Sequence, residues 1–335
     1  MEIKMKDWTS SIVNETTKKA LPIMTYPGLE VTKKTIADIV TNGQDHFECI
    51  SALAKKFPNT GSVIVMDLSV EAEAFGSKIL FSQEEVPTIT APLVTSSDEI
   101  NSLKVPSVGD GRTGEYLKAT SLAAKHINDR PVFGGMIGPY SLAGRLFDIT
   151  EMMTFVLMDP DAAQQLLRKS TEFLKEYALA FKRAGANGLV IAEPAAGLLS
   201  ADMCDMFSSV YVKEIVNYVQ DDSFMVILHN CGNTTEQVES MASTGAMGLH
   251  FGNAVDMMDI LAQVPPNVIA LGNISPSEVF LNGTPASMRK EVLLLLERTA
   301  SYKNFVLSSG CDVPPGVPLE NIEAFYRALD EFNAR

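Results

Sequence analysis

The sequence predicts an α/β protein built as a (β/α)8 TIM barrel, a single domain over residues 1–335 with an insertion between its second and third strands. Three observations carry that expectation. Short apolar runs alternate with longer amphipathic stretches almost from end to end, the alternation of a parallel sheet with crossover helices. Eight such units over about 300 residues match a closed barrel better than an open sheet. No Gly-x-Gly-x-x-Gly turn follows the first apolar run, so a dinucleotide-binding sheet loses its main support.

The expected strands, in order, are Leu21–Thr25, Ser62–Met66, Val132–Ile137, Gly188–Ala192, Phe224–Leu228, Met247–Phe251, Val268–Leu271 and Phe305–Ser308. Runs this apolar are the mark of strands buried on both faces, as parallel strands are. Amphipathic stretches such as Ala162–Ala184, Ala201–Val219, Thr235–Ala242 and Ala286–Tyr302 supply the helices between them. The segment from Asp67 to Arg130 holds little strand-like sequence and is broken by Pro87, Pro92 and Pro106. It is expected to be the insertion, a cap over the barrel mouth.

A barrel of this kind gathers its functional residues at the C-terminal ends of the strands. Asp67 follows the second strand, Gly138-Pro139-Tyr140-Ser141 the third and Glu193 the fourth. His229 and Cys231 follow the fifth, His250 and Asn253 the sixth, Asn273 the seventh and Cys311 the eighth. Every one of these strands from the second onward ends beside a residue capable of chemistry.

His229, Cys231 and Cys311 stand out among them. Two residues apart at an extended strand end, His229 and Cys231 point to one side, and a closed barrel brings the eighth strand's Cys311 across to them. Each alone is a strand-end polar group or a small buried apolar residue. Together they read as a zinc site with three protein ligands and an open fourth position, the arrangement of catalytic zinc. Cys49 and Cys204 lie in helical patterns without His or acidic partners and are expected in the core. His46 and His126 are expected on solvated helix faces.

Glu193 and Asp67 are the candidate catalytic carboxylates. Each is either a helix cap or ion-pair partner, or stands beside the metal as a ligand or acid/base group. Tyr140, Ser141, His250 and Asn273 are candidates for substrate contact.

The chain has 335 residues, 46% of them hydrophobic and 20% charged, ample for a core. Its formal net charge of -14 argues against a nucleic-acid surface, which needs clustered Lys and Arg. No run approaches the roughly 18 apolar residues of a membrane span. The start, Met1 to Trp8, lacks the apolar core of a secretory signal. Four scattered cysteines are too few for a disulfide scaffold and point to a reducing cytoplasm. None of these features sets an oligomeric state.

The motifs Gly138-Pro139-Tyr140-Ser141-Leu142-Ala143, Ala184-Gly185-Ala186-Asn187, His229-x-Cys231-Gly232-Asn233, Gly272-Asn273-Ile274, Ser309-Gly310-Cys311-Asp312-Val313-Pro314 and Pro318-Leu319-Glu320-Asn321-Ile322 occur in one order. In this the chain resembles the uroporphyrinogen decarboxylase superfamily over nearly its whole length. Within it, His-x-Cys and the distant Cys resemble the zinc-dependent methylcobalamin:coenzyme M type of corrinoid methyltransferase. The decarboxylases carry an arginine-rich stretch after the first strand to grip substrate carboxylates. Here that region reads Pro22-Ile23-Met24-Thr25-Tyr26-Pro27-Gly28, without the arginine that pairs with carboxylates.

The resemblance implies zinc on His229, Cys231 and Cys311, with a small-molecule thiol in the open position losing its proton. The thiolate would take the methyl group of a methyl-cobalt(III) corrinoid and leave cobalt(I). No Asp-x-His-x-x-Gly corrinoid motif occurs, so methylcobalamin is expected free or on a partner corrinoid protein. Coenzyme M carries a sulfonate, and Arg145 is the obvious basic residue near a strand end. Homocysteine, another thiol or a folate remain open as acceptor. Two other readings stay open: a decarboxylase-like lyase on a tetrapyrrole, and a non-catalytic corrinoid- or metal-binding accessory protein.

Overall fold

The computed structural model describes residues 3–335, so Met1 and Glu2 of the N-terminal stretch lie outside the described residues. The chain folds as an α/β structure around a curled sheet of seven parallel strands. These are β1 (Ser62–Val63), then, after the small pair β2 (Ile79–Leu80) and β3 (Thr88–Ile89), β4 (Val132–Ile137), β5 (Gly188–Ala192), β6 (Met225–Asn230), β7 (Gly248–Phe251), β8 (Ile269–Ile274) and β9 (Phe305–Ser309). Their order in the sheet is β1-β4-β5-β6-β7-β8-β9. Apart from the β2–β3 pair, strands that follow one another in the sequence lie side by side and parallel.

The expected first strand is the main difference. Residues 21–25 form no ladder strand; a single parallel bridge joins Ala20 to Leu307. Leu21 N donates to Leu307 O (2.9 Å), Leu307 N to Lys19 O (2.9 Å), and on the other side Thr60 N donates to Ala20 O (3.0 Å). Pro22 has no N–H to extend either ladder. The segment therefore sits against both β9 and the approach to β1 without pairing fully with either. β1 is also shorter than expected. Beyond it Ile64 N still reaches Phe133 O (3.0 Å), but Val65 N donates to Nε2 of His46 instead (2.8 Å).

That bond corrects the expectation for His46, which is fully buried rather than solvated. Its ring stands edge-on to Tyr116, and burial pushes its pKa down to about 3. The helix Gly43–Lys56 turns His46 inward because an unpaired strand N–H needs an acceptor there. His126 is exposed, as expected, and Cys49 and Cys204 are buried.

The alternation of side chains along the strands creates two cores. Val63, Phe133, Val190, Ile227, Leu271 and Val306 from the inner face cluster with Leu21 and Ile23. Residues from strands at both ends of the sheet meet in this one cluster, which is what makes the sheet curled. The N-terminal helix Met5–Asn14 plugs it with Met5 and Ile12, and Trp8 packs on Phe133. Leu189, Ile191, Val226, Leu228 and Leu307 point the other way, into the layer shared with the helices.

The helices begin where their sequences provide caps. Pro160 opens the 24-residue helix Pro160–Arg183 while Asp159 accepts from Ala162 N, and Pro285 opens Pro285–Arg298 behind a Thr284/Ser287 capping box. The stretch expected as one helix over 201–219 contains a wider turn at Asp205–Ser209. Between β1 and β4 lie the antiparallel β2–β3 pair and the helices Val70–Phe75, Ser97–Ser102 and Thr113–His126. No helix among the described residues is long and apolar enough to cross a membrane.

Candidate metal centre

On β6 the inward positions Met225 and Ile227 are followed by His229 and then, just past the strand, Cys231. The inner-face alternation thus carries both side chains to the C-terminal end of the sheet. Cys311 comes from the turn after β9. Its sulfur lies 3.6 Å from Nε2 of His229. The ligand atoms of His229, Cys231 and Cys311 lie within 4.8 Å of one another, and among the described residues no other three His, Cys, Asp or Glu converge this way.

The loops that hold the thiols interlock closely. A Cβ on Gly252 would stand 2.5 Å from the Cys231 backbone, and one on Gly310 2.6 Å from Asn253 N. Neither loop can close with a larger residue there. Asn230 braces the same turn, its Oδ1 accepting from Gly232 N (2.9 Å) and its Nδ2 donating to Glu193 O (2.8 Å). Asp312 ties the Cys311 turn to the first segment by accepting from Thr25 Oγ1 (2.7 Å).

The donor set suits zinc. With sulfur about 2.3 Å and nitrogen about 2.1 Å from a tetrahedral ion, the two ligands stand about 3.6 Å apart, and the observed separation is also 3.6 Å. Both thiols are free and half-buried. The neighbouring Cys311 thiol holds the Cys231 pKa well below the ordinary thiol value, while the same proximity, with burial, pushes Cys311 up. Such a pair readily presents thiolate to a cation.

Behind the ligands stands His250. Its Nδ1 is 2.7 Å from Nδ1 of His229, and its Nε2 is 2.8 Å from Oγ of Ser308. His250 is buried and braces His229.

The structure places the other candidates as follows. Glu193 is buried at the start of the helix Pro139–Phe147. One carboxylate oxygen accepts from Tyr140 N (2.7 Å) and Ser208 Oγ (3.0 Å), the other from Ser141 N (3.0 Å). Burial pushes its pKa up, and these hydrogen bonds pull the other way. Its carboxylate is not part of the three-residue group. Ser141 Oγ accepts from Ala195 N (3.1 Å), and the buried Tyr140 hydroxyl has no partner among the described residues. Asn273 donates to Gly252 O (2.9 Å) and Val255 O (2.8 Å), fixing the loop next to Cys231. Asp67 accepts from Ser69 N and Oγ on one oxygen and pairs with Arg112 Nη1 (2.5 Å) on the other.

A cavity of about 210 Å³ opens beside the centre, lined by Tyr26, Met66, Asp67, Val86, Ile89, Arg145 and Asp312, among others. Asp312 is the chain neighbour of Cys311, and Val86 and Ile89 come from the β2–β3 region. Arg145 is exposed and, among the described residues, has no ion-pair partner, whereas Arg112 is bound to Asp67 and Glu73. Reading the sequence alone missed Ser308, Asn230 and Arg112. The inward period of β9 could have marked Ser308, two residues after Val306.

A parallel strand-and-helix fold with its polar residues gathered at the strand ends is the arrangement of barrel-type α/β enzymes. The chain belongs to the uroporphyrinogen decarboxylase (URO-D) family, whose model matches residues 23–332. Among its relatives, the methylcobamide:CoM methyltransferase MtbA of Methanosarcina acetivorans is 29% identical, over 78% of this chain and 76% of that one. A uroporphyrinogen decarboxylase of Pseudoalteromonas translucida is 25% identical, over 84% of this chain and 81% of that one. The solved structure of a methyltransferase from Methanosarcina mazei superposes with a TM-score of 0.86, covering 99% of both chains at 24% identity. Its TIM-barrel-like fold is the fold of this chain.

Proposed function

We propose that this protein is a zinc-dependent methyltransferase that moves a methyl group from a methylated corrinoid to a thiol of the coenzyme M type. The observation that carries this reading is the convergence of His229, Cys231 and Cys311 on one point with a tetrahedral spacing between sulfur and nitrogen. The similarity to a methylcobamide:CoM methyltransferase over most of the chain supports it. Zinc bound there would supply Lewis acidity to a thiol in the fourth position, so that the thiolate is available at neutral pH.

The chain's own residues hold and orient. His229, Cys231 and Cys311 are the metal ligands in this proposal. The cavity next to Cys311 takes the body of the thiol against Met66 and Val86, and the Arg145 guanidinium takes an anionic tail. Glu193 and Asp67 act as positioning residues. Glu193 fixes the Gly138–Ser141 turn, and through its carbonyl the Asn230 side chain; Asp67 holds Arg112 and the floor of the cavity. Tyr140 and Ser141 shape the wall above them, while His250 and Asn273 brace the ligand loops from behind.

The reaction balances as a methyl-cation transfer. The carbon–cobalt bond breaks with its electron pair left on cobalt, a carbon–sulfur bond forms, and the thiol proton goes to solvent. Holding the two reactants in line supplies the rate. The corrinoid comes free or on a separate protein, because no corrinoid-binding motif lies in this chain.

The first segment, Leu21–Thr25, completes a closed (β/α)8 barrel in this proposal, the whole chain is one domain, and the segment from Asp67 to Arg130, between β1 and β4, is the insertion that caps the mouth. A reducing cytoplasm keeps the two thiols available. X-ray absorption at the zinc edge tests the site. The protein as purified should hold about one zinc with two sulfur ligands, and coenzyme M should add a third sulfur. Zinc below half an equivalent, or a ligand sphere that coenzyme M leaves unchanged, contradicts the proposal.

A further inference from the structure

We propose that the apolar tip of the β2–β3 hairpin, Phe81 with Val86, is the seat for the macrocycle of the methylated corrinoid, which lies there across the mouth of the cavity beside Asp312. The inference rests on the methyl-transfer reading above and deepens it by giving the second reactant a place.

Val86 lines that cavity with Ile89 and Asp312, yet it is 47% exposed. It therefore stands on the lip, one side toward the cavity and the other toward solvent. Phe81, 40% exposed, lies on the Arg112 guanidinium, 4.8 Å from its ring centroid. Arg112 is held in turn by Glu73 and by Asp67, which lines the same cavity. Leu80, 61% exposed, continues the apolar surface beyond Phe81. The hairpin holds these side chains out. Its ladder pairs only Ile79 with Ile89 and Leu80 with Thr88, but its tip is tied as well. Ile36 N donates to Gln83 O (3.1 Å), and Ser82 Oγ accepts from Glu84 N and Glu85 N (both 3.2 Å). Apolar side chains held out together beside a cavity form a surface that a partner covers.

The reaction selects the partner. Its thiol sits in the cavity, so the methyl group must come from the solvent side, in line with the sulfur. The corrin ring is a flat disc far wider than the methyl group at its centre, and bringing that methyl in lays the ring over the lip. The faces of the ring are apolar and its edge carries primary amides. Phe81 and Val86 match a face, while the exposed carboxylates of Glu84 and Glu85 can accept from amide N–H groups. Residues 79–89 contain no Lys or Arg, so the tip offers nothing to a phosphate or an anionic surface. The loops after β6, β7 and β9 (231–237, 252–256 and 310–318) contain no leucine, methionine or aromatic residue and offer no second seat of this kind. A ring on the lip also keeps water from the thiolate. The contact belongs to the ring itself and not to a carrier protein, so free methylcobalamin is the probe.

The test uses full-length, zinc-replete protein in two measurements: anaerobic demethylation of free methylcobalamin with saturating coenzyme M, and hydrogen–deuterium exchange with methylcobalamin and no thiol. Phe81→Gln should raise KM for methylcobalamin about fivefold, the worth of burying roughly half an aromatic side chain. KM for coenzyme M and zinc content should stay unchanged, and Phe81→Leu should recover most of the loss. Leu157→Gln, on the helix Ile149–Met158 and still more exposed, should leave KM for methylcobalamin as it is. In the wild type, methylcobalamin should slow exchange across residues 79–89. Unchanged KM in Phe81→Gln, an equal rise in Leu157→Gln, or a hairpin without added protection overturns the seat. Protection that appears on raising the protein concentration without methylcobalamin makes the hairpin a contact between copies, and overturns it too. A wild type that forms no cobalt(I) with any thiol sinks the methyl-transfer reading, and hairpin protection still judges the seat.

Discussion

The Cys311 sulfur lies 3.6 Å from Nε2 of His229, although 82 residues separate them in the chain. Four strands of a curled sheet, β6 to β9, bring the two together, and the turn after β9 is held by Asp312 on Thr25. The candidate centre is thus a product of the curl of the sheet as much as of its ligands. Measurable consequences follow for the residues around it.

Glu193 accepts hydrogen bonds from two backbone N–H groups and one hydroxyl. Glu193→Ala leaves those buried donors unpaired and should cost about 3 kcal/mol or more of stability in denaturant unfolding, at roughly 1–3 kcal/mol for each of the orphaned groups. Zinc content should persist, because the ligands are elsewhere. Loss of zinc with unchanged stability would make Glu193 a ligand instead.

Asp67 and Arg112 form a buried ion pair. Asp67→Asn leaves the guanidinium with Glu73 alone and should destabilise the fold by roughly 3 kcal/mol, at the low end for a broken buried pair. The double variant Asp67→Asn/Arg112→Met should recover part of that loss. A chemical role for Asp67 would instead show as lost turnover at unchanged stability.

The legible part of the molecule was the part with period. Strands from Val132 onward, buried on both faces, read to within one to three residues at their ends, and His229 and Cys231 could be placed on one side from their spacing. What the sequence concealed was direction. Glu193 had two readings because nothing in Ile-Ala-Glu-Pro tells which helix start its carboxylate meets. His46 looks like a solvated helix residue until Val65 is found with a free N–H. His250 pointed to substrate, and the register that sets it beside His229 turns it toward a ligand instead. Pro22 was visible, yet its effect on the first strand depends on two neighbours that only the fold supplies.

Glu71 is buried with one oxygen accepting from Ile137 N (3.1 Å) and the other unpartnered among the described residues. Burial pushes its pKa up to about 8. A folded pKa above the unfolded value gives stability that is full below about pH 4.5 and lost as pH rises through 8. The loss should be a few kcal/mol at most. Glu71→Gln keeps the acceptor for Ile137 and should flatten that decline between pH 5.5 and 8.5 in unfolding experiments. An unchanged slope would contradict it.

Arg145 faces the cavity as its one unpaired cation. Arg145→Ala should raise KM for coenzyme M about five- to tenfold, the worth of roughly 1–1.5 kcal/mol for a solvent-exposed charge-assisted contact. Turnover of the uncharged thiol 2-mercaptoethanol should not change. Equal losses with both thiols would remove Arg145 from substrate recognition.

The most direct test is anaerobic demethylation of methylcobalamin, followed by the cobalt(I) absorbance and by methylated thiol in the same sample. Zinc-replete wild type with coenzyme M should form both products one for one, and Cys311→Ala should form neither above the uncatalysed rate. Demethylation that is equal in wild type and Cys311→Ala, or no cobalt(I) with any thiol, would contradict the account.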